Sequence, residues 1–423
     1  MTAFQQQDCA IANYHLQPKY ALISVDSDPE AEIGKDGAGG QNIYVRQLGM
    51  ALAQRGCQVD MFTRRENPHQ STVIEHTPIC RTIRLTAGPT KYIPPEELFN
   101  HLPEFVQAWL EFQSQSGHQY SLLHTNSWLS GWVGMQLKSN LGLPQVHTYH
   151  AIGAVNDRQQ LHLEATPTRL AVERQILEGV DCVIATSPQE EADLRQFVSQ
   201  EGNIQVIPCG IDTQHFGSTF RTAARVKLAI PIEARVIVYV GRFEPSKGIE
   251  TLVRACSKLP KLFRLYLIGG SREQRHDSQE QQRIRALVKE LGLDKVVFFT
   301  GRIPRQQLPT YYAAANVCVV PSDYEPFSLA AIEAMAAGTP VIASNVGGLR
   351  HTVMHDQTGL LVPPRNPDAL AEAIGQVLTN PLRWQFAGYD AKKWVQNHFS
   401  RTSMVSEIQE LYESFFEPRG VRQ

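Results

Sequence analysis

Two short segments carry residue types suited to holding a diphosphate. Gly241-Arg242-Phe243-Glu244-Pro245-Ser246-Lys247-Gly248 follows an apolar run and sets two cations around one turn. Arginine offers a planar fork of N–H donors and lysine a compact charge. Arg242 and Lys247 together can therefore neutralise a leaving diphosphate without a metal ion. The second segment, Asp323-Tyr324-Glu325-Pro326-Phe327-Ser328-Leu329, runs on into a stretch that contains Glu333. Pro326 keeps Glu325 out of a helix, so a helix is predicted to start near Ser328, with Glu333 one to two turns along it. The N–H groups of Ser328 and Leu329, as first donors of that helix, would point at an anion. One carboxylate in a loop and one on a helix suit hydrogen bonds to sugar hydroxyls. They suit paired-carboxylate hydrolysis less, because that chemistry needs two close, opposed groups. Solvated surface cations and helical glutamates are common, so neither segment means much alone; their co-occurrence is the signal.

A third candidate is the glycine loop after the first apolar run, Asp36-Gly37-Ala38-Gly39-Gly40-Gln41-Asn42, with a helix predicted from Ile43 to Arg55. Glycines at a strand-to-helix turn let backbone N–H groups approach a phosphate at the positive helix end. A merely flexible loop would read the same way. The spacing is not GxGxxG, and Thr63-Arg64-Arg65 stands where a dinucleotide-binding fold needs an acid for the ribose, which disfavours a nicotinamide-dependent dehydrogenase. His150 ends an apolar run, and by itself it reads as an ordinary core histidine.

The elements that must position these residues are parallel strands. Twelve short Val/Ile-rich runs alternate with helix-length amphipathic segments: 20–25, 59–64, 121–126, 145–149, 181–187 and 204–210, then 235–241, 264–270, 295–301, 317–322, 339–344 and 359–363. Continuous apolar runs mean strands buried on both faces, as in helix-sandwiched parallel sheets. Two sets of six suggest two doubly wound Rossmann-like domains facing across a cleft, with ligands at the carboxyl ends of the strands. The expected boundaries are 1–216 and 217–397, with a C-terminal helix at about 398–423 packing back on the first domain.

A chain of 423 residues fits two such domains, and its net charge of -2 argues against a dedicated nucleic-acid binder. None of the seven cysteines forms a CxxC pair, so they read as core fillers in a reducing compartment. No signal peptide or membrane span is evident, and a cytoplasmic location is expected.

These motifs together resemble the retaining GT-B glycosyltransferases of family four. The resemblance covers nearly the whole chain through GAGGQN (37–42), HTYHAIG (147–153), IPCGID (207–212), GRFEPSKG (241–248), TGRIP (300–304), EPFSLAAIEAMAAGTPVIAS (325–344) and TGLLVP (358–363). It implies a donor site built from Gly39, Gly40, Gly241, Arg242, Lys247, Gly301, Ile303, Glu325, Phe327, Ser328, Leu329 and Glu333. Within it, Arg242 and Lys247 would hold the diphosphate, Glu325 the sugar, Glu333 the ribose, and Gly301 and Ile303 would lie near the base. It also implies that His150 orients the transferred sugar, so that His150, Arg242, Lys247 and Glu325 are the residues closest to the chemistry. Retention would proceed on the front face, the leaving phosphate oxygen taking the acceptor's proton, with no metal or other cofactor required. Ser328 stands where the family usually has glycine, beside the diphosphate, where it could tune donor binding.

The acceptor side, in the first domain, is expected to use Gln41, Asn42, Lys91, Tyr92, His150 and Arg169. Lys91 and Arg169 are candidates for an acceptor phosphate. Gly-Gly-Gln-Asn and GPTKYIPPEELFNHLPEFV (88–106) are similar to sucrose-phosphate synthases, whereas HTNSWLSGWVG (124–134) is closer to inositol-phosphate N-acetylglucosaminyltransferases. Ser127 and Ala151 replace a tyrosine and a threonine that the latter use. The expected reaction moves glucose from UDP-glucose to fructose 6-phosphate, giving sucrose 6-phosphate for a separate phosphatase. A sucrose synthase, the inositol reaction, and a catalytically silent sugar-nucleotide-binding regulator are the alternatives.

Overall fold

A computed structural model describes residues 17–31, 39–158, 165–270 and 276–416. Gly37, Ala38 and Cys9 lie outside these residues, as does the end of the expected C-terminal helix.

The Val/Ile-rich runs form two sheets. The first has the strands β1 (Lys19–Ile23), β2 (Gln58–Arg64), β3 (Val73–Thr77), β4 (Cys80–Leu85), β5 (Leu122–Asn126), β6 (Gln145–Thr148), β7 (Cys182–Ala185) and β8 (Ile204–Val206), in the order β3-β4-β2-β1-β5-β6-β7-β8. The second has β9 (Arg235–Val240), β10 (Phe263–Ile268), β11 (Val297–Gly301), β12 (Val317–Val320), β13 (Val341–Ser344) and β14 (Gly359–Val362), in the order β11-β10-β9-β12-β13-β14. Every pairing is parallel except β3 with β4. β1, β5, β6, β7, β12 and β13 are buried at every residue, because helices cover both faces of each sheet.

The first sheet holds eight strands rather than the six expected. β3 and β4 form a hairpin at its edge. Their polar interruptions (Glu75, His76, Arg81, Thr82, Arg84) hid them from a search for continuous apolar runs, since β3 is an edge strand with much of its surface in water.

The two cores meet at two adjacent chain crossings. Ile207 and Cys209 pack in the first core, Ile211 and Phe216 in the second. Ile211 pairs with Ser400, where the chain returns, and a Cβ on Gly210 would come within 2.5 Å of the Ser400 carbonyl oxygen. The final helix, Arg401–Glu413, buries Met404, Ile408 and Tyr412 among Tyr20, Leu22 and Leu48 of the first domain. Cys57, Cys80, Cys182, Cys209, Cys256 and Cys318 are buried thiols in these cores.

At the amino ends of its strands, away from the cleft, the first sheet is pinned by a buried ion cluster. Asp60 accepts two hydrogen bonds from Arg81 at 2.9 and 2.8 Å and one from the Tyr120 hydroxyl at 2.7 Å, and it pairs with Lys19 at 2.9 Å. Burial alone would raise the Asp60 carboxyl, but Arg81, Tyr120 and Lys19 outweigh it and hold it below the ordinary aspartate value. A depressed folded-state pKa contributes stability above the unfolded-state value, and that stability is lost as pH falls through the folded-state value. Asp60→Ala, which leaves Lys19 buried without its carboxylate, should cost about 3–5 kcal/mol at neutral pH. The gap from wild type should narrow in strong acid, and urea unfolding at a series of pH values reads both.

Candidate active site

The second domain gathers its candidate residues at the carboxyl ends of β9 and β12. Gly248 follows the turn after β9 with φ +65°, and a Cβ there would lie 2.0 Å from the Pro321 carbonyl oxygen, so only glycine fits the approach. That approach brings Lys247 beside the loop after β12. Its Nζ sits 2.8 Å from Glu325 Oε2, which also accepts the Ser322 hydroxyl at 3.1 Å. Behind Glu325, its carbonyl accepts the Gly348 N–H at 2.9 Å, and a Cβ on Gly347 (φ +48°) would come within 2.1 Å of the same oxygen. Asn345-Val346-Gly347-Gly348 is thus the backbone cradle of the Glu325 loop.

Arg242 is turned elsewhere, to Glu244 at 2.7 Å with its side chain 43% exposed. The two cations expected to converge are held in separate ion pairs. Gly241 donates its N–H to the Ile268 carbonyl, and Gly269 approaches it so closely that a Cβ would lie 1.9 Å from the Gly241 oxygen. Gly301, with φ +69°, offers its carbonyl to Gly269, and Ile303 packs partly buried against the second core.

The helix Leu329–Ala336 starts as its sequence implies, with Ser328 as N-cap. The Ser328 hydroxyl accepts the Ala331 N–H at 3.3 Å, so it caps its own helix instead of facing an anion. Phe327, expected among the donor-binding residues, points its ring to the chain crossings. Its ring lies 6.0 Å from Phe399 and borders a cavity of about 300 Å³ at the chain crossings, which Trp394 and His398 also line. Glu333 is buried against Arg305 and accepts the Tyr312 hydroxyl at 3.1 Å. Burial raises its carboxyl, and Arg305, Tyr312 and His215 work against that rise. Arg305, which also lies over the Phe216 ring at 5.3 Å, drew no attention in the sequence, because nothing in its spacing ties it to Glu333.

In the first domain, the helix Gly40–Gln54 opens the facing wall. Gly39 is its N-cap and gives its N–H to Asn42 Oδ1 at 2.8 Å, while Asn42 Nδ2 donates to the Asp28 carbonyl. Asn42, expected to bind acceptor, is buried and holds the loop itself; nor is the Gly39 N–H open to a phosphate. Gly40 faces the helix Leu329–Ala336: a Cβ there would lie 3.9 Å from Leu329 Cδ1.

His150 sits at φ +61°, an uncommon conformation for a residue with a Cβ, just past β6. Its Nε2 lies 2.9 Å from Asn126 Oδ1. The Asn126 amide nitrogen is directed at the Ile23 and His124 carbonyls, so Oδ1 must accept and Nε2 must carry the proton. Nδ1 is then a bare acceptor. Burial lowers the ring to about 3, so it is neutral and a weak base, fitted to receive a hydroxyl's hydrogen bond.

The expected acceptor cations have different fates. Arg64, fully buried, donates to the Pro89 carbonyl at 2.9 Å and the Lys91 carbonyl at 2.7 Å, clamping the loop that displays Lys91 and Tyr92 on the exposed surface. Arg169 is largely committed: Nε to Glu173 at 2.8 Å and Nη2 to the Ala151 carbonyl at 3.2 Å. Gln41 Nε2 reaches Ser24 Oγ at 3.1 Å, the Asn126 carbonyl at 3.4 Å and Asp26 Oδ1 at 3.5 Å. The domains are fastened beside the Glu325 loop, where Tyr324 donates its hydroxyl to Asp193 at 3.0 Å and Ser187 donates to the Pro326 carbonyl at 3.3 Å.

Residues 38–215 match Glycosyltransferase Family 4, and residues 220–397 match Glycosyl transferases group 1. A D-inositol 3-phosphate glycosyltransferase of Corynebacterium efficiens is 34% identical over 406 residues, spanning 93% of this chain and 95% of that protein. The chain belongs to glycosyltransferase family 4. Its two parallel-sheet domains are the GT-B fold. The sucrose-phosphate synthase of Thermosynechococcus elongatus superposes with a TM-score of 0.90 at 50% identity, covering 95% of this chain and 99% of that one. HepE of Anabaena, solved in complex with UDP, shares the fold at 20% identity with a TM-score of 0.76, over 94% of this chain and 100% of that one. The glycosyltransferase has, among its described residues, no helix long and apolar enough to cross a membrane.

Proposed function

We propose that this glycosyltransferase moves glucose from UDP-glucose to fructose 6-phosphate with retention, giving sucrose 6-phosphate. The observation that carries the reading is the 50% identity to a sucrose-phosphate synthase across nearly the full length of both chains. The same reading divides the labour among the candidate residues. Lys247 and Arg242 take the diphosphate, Glu325 and the Nδ1 face of His150 take glucose hydroxyls, and Glu333 takes the ribose. Gly301 and Ile303 flank the base, and Gly40 and Leu329 close the cleft around the phosphates. Lys247 leaves Glu325 for the diphosphate as donor enters, freeing a carboxylate oxygen for the sugar. With His150 neutral, the departing phosphate oxygen receives the acceptor's proton, and neither a metal nor another cofactor takes part. Lys91, with Tyr92 and Arg169 beside the cleft, holds the acceptor phosphate. Work in the cytoplasm, with a separate phosphatase consuming the product, belongs to the same reading.

A second reading rests on the relatives named D-inositol 3-phosphate glycosyltransferases, 34% identical over 93% of the chain. Incubation of the purified protein with UDP-glucose or UDP-N-acetylglucosamine and, in parallel, fructose 6-phosphate, fructose and inositol 3-phosphate separates them. Sucrose 6-phosphate is the expected product. A cyclitol glycoside in its place would overturn the first reading, and free sucrose from unphosphorylated fructose would indicate a sucrose synthase.

A further inference from the structure

Asp26 follows β1 at the carboxyl edge of the first sheet, half-buried, and entered none of the roles above. Its Oδ1 accepts the Ser127 hydroxyl at 2.9 Å, and Gln41 Nε2 lies 3.5 Å from the same atom. Ser127 itself is held at φ 70° and ψ 160°, a region that residues with a side chain almost never occupy, fixed there by a hydrogen bond from its N–H to the Thr148 carbonyl at 3.0 Å. Such a conformation is unfavourable by about 1–3 kcal/mol and persists where the surroundings over-determine it, typically at ligand sites. His150, one strand over, carries the second positive φ. Two strained residues at the ends of β5 and β6 thus frame one carboxylate at the end of β1, the edge where ligands of such folds bind.

No described Lys, Arg or His forms an ion pair with Asp26; burial raises its carboxyl, Ser127, Gln41 and Arg169 work against that rise, and Arg169 is itself committed to Glu173 and Ala151. Its second oxygen has no side-chain donor among the described residues. A half-exposed carboxylate without a cation, ringed by neutral amide and hydroxyl groups, is suited to hydrogen-bond donors rather than to anions.

We propose that Asp26, aimed by Ser127 and Gln41, reads a hydroxyl of the polyhydroxylated acceptor and is a specificity-determining residue of the acceptor site. The proposal rests on the first domain being the acceptor domain. It assigns the two ends of the acceptor to opposite chemistries: the phosphate to Lys91, and the hydroxylated ring to Asp26.

The test is steady-state transfer from UDP-glucose by wild type, Asp26→Asn, Asp26→Ala and Ser127→Ala. Each protein is assayed with fructose 6-phosphate, fructose and inositol 3-phosphate. For whichever acceptor the wild type uses, Asp26→Ala should raise the acceptor KM by about tenfold or more, the weight of a hydrogen bond to a charged group. The isosteric Asp26→Asn should raise it too, Ser127→Ala should raise it less, and the KM for UDP-glucose should stay within twofold throughout. An unaltered acceptor KM in Asp26→Asn and Asp26→Ala would overturn the assignment and leave the proposed reaction standing. Equal losses toward donor and acceptor would make Asp26 a structural residue, which also overturns it. Use of an acceptor other than fructose 6-phosphate sinks the proposed reaction but not this assignment, which is then measured on that acceptor. A wild-type protein that glucosylates none of the three overturns both.

Discussion

Lys247→Ala is expected to lower the rate of glycosyl transfer by about 10²–10³-fold while the protein remains folded, the effect of deleting one preorganised group that stabilises charge developing in a transition state. Gly248, through its positive φ and close approach to Pro321, puts the Lys247 ammonium 2.8 Å from Glu325. When the donor's diphosphate enters, the ammonium meets the atoms that gain negative charge as the glycosidic bond breaks. Arg242, pointed to Glu244 and more exposed, must reorient to help, so it cannot replace Lys247 in the variant. Removing the ammonium leaves Glu325 with the Ser322 hydroxyl on its carboxylate and its backbone held in the Gly347-Gly348 cradle. The check is single-turnover transfer from UDP-glucose, with circular dichroism and thermal unfolding on the same samples. Turnover close to that of wild type would show that the diphosphate is held elsewhere.

Arg305→Ala should have the second large effect, on stability and on donor affinity together. Glu333 is buried, and Arg305 is the cation that makes its charge tolerable. Truncating one partner of a buried pair costs about 3–5 kcal/mol, because the other charge remains without compensation. The sign of the pH dependence follows from Glu333. Burial places its folded-state pKa above the unfolded value. A raised folded-state pKa gives stability that is present below the unfolded value and lost as pH rises through the folded one. Without Arg305 the pKa rises further, so the variant should be most deficient at neutral or higher pH. It should regain stability relative to wild type as mild acid protonates Glu333. Asp60, whose pKa is shifted the other way, stays ionised in that mild-acid range and does not mask the effect. Urea unfolding at pH 5 and pH 8, with UDP titrated into the folded variant by calorimetry, reads both consequences. A deficit of equal size at both pH values would mean that Arg305 acts through its packing on Phe216 and not through Glu333.

Most of the parallel architecture was legible in the chain because it is written locally. Val- and Ile-rich runs declare strands covered on both faces, and a proline after Glu325 declares where a helix can begin. Ser328 shows how far such local signals reach. Its place at the start of the helix follows from Pro326, and its hydroxyl takes the Ala331 N–H as an N-cap serine's does, but that the hydroxyl is so committed is seen only in the fold. Asn42 behaves alike: a polar residue next to a glycine loop reads as ligand-binding until it is seen closing the loop upon itself. The edge hairpin of β3 and β4 escaped notice for the converse reason, since a half-solvated strand has no continuous apolar run to betray it.

By itself, the sequence determined the two-sheet plan, the glycine turns and the cations and carboxylates that suit a sugar nucleotide, because period, turn chemistry and residue type act over a few neighbours. Only the tertiary structure decided which of those groups pair. Lys247 with Glu325, Arg305 with Glu333, Tyr324 with Asp193 and Asp26 with Ser127 lie 78, 28, 131 and 101 residues apart in the chain. Such pairings depend on strand order and on glycine approaches so close that a Cβ would lie about 2 Å from a neighbouring carbonyl oxygen. Electrostatic and hydrogen-bonding partners are chosen by distance in space, and strand order fixes that distance only once both sheets have formed.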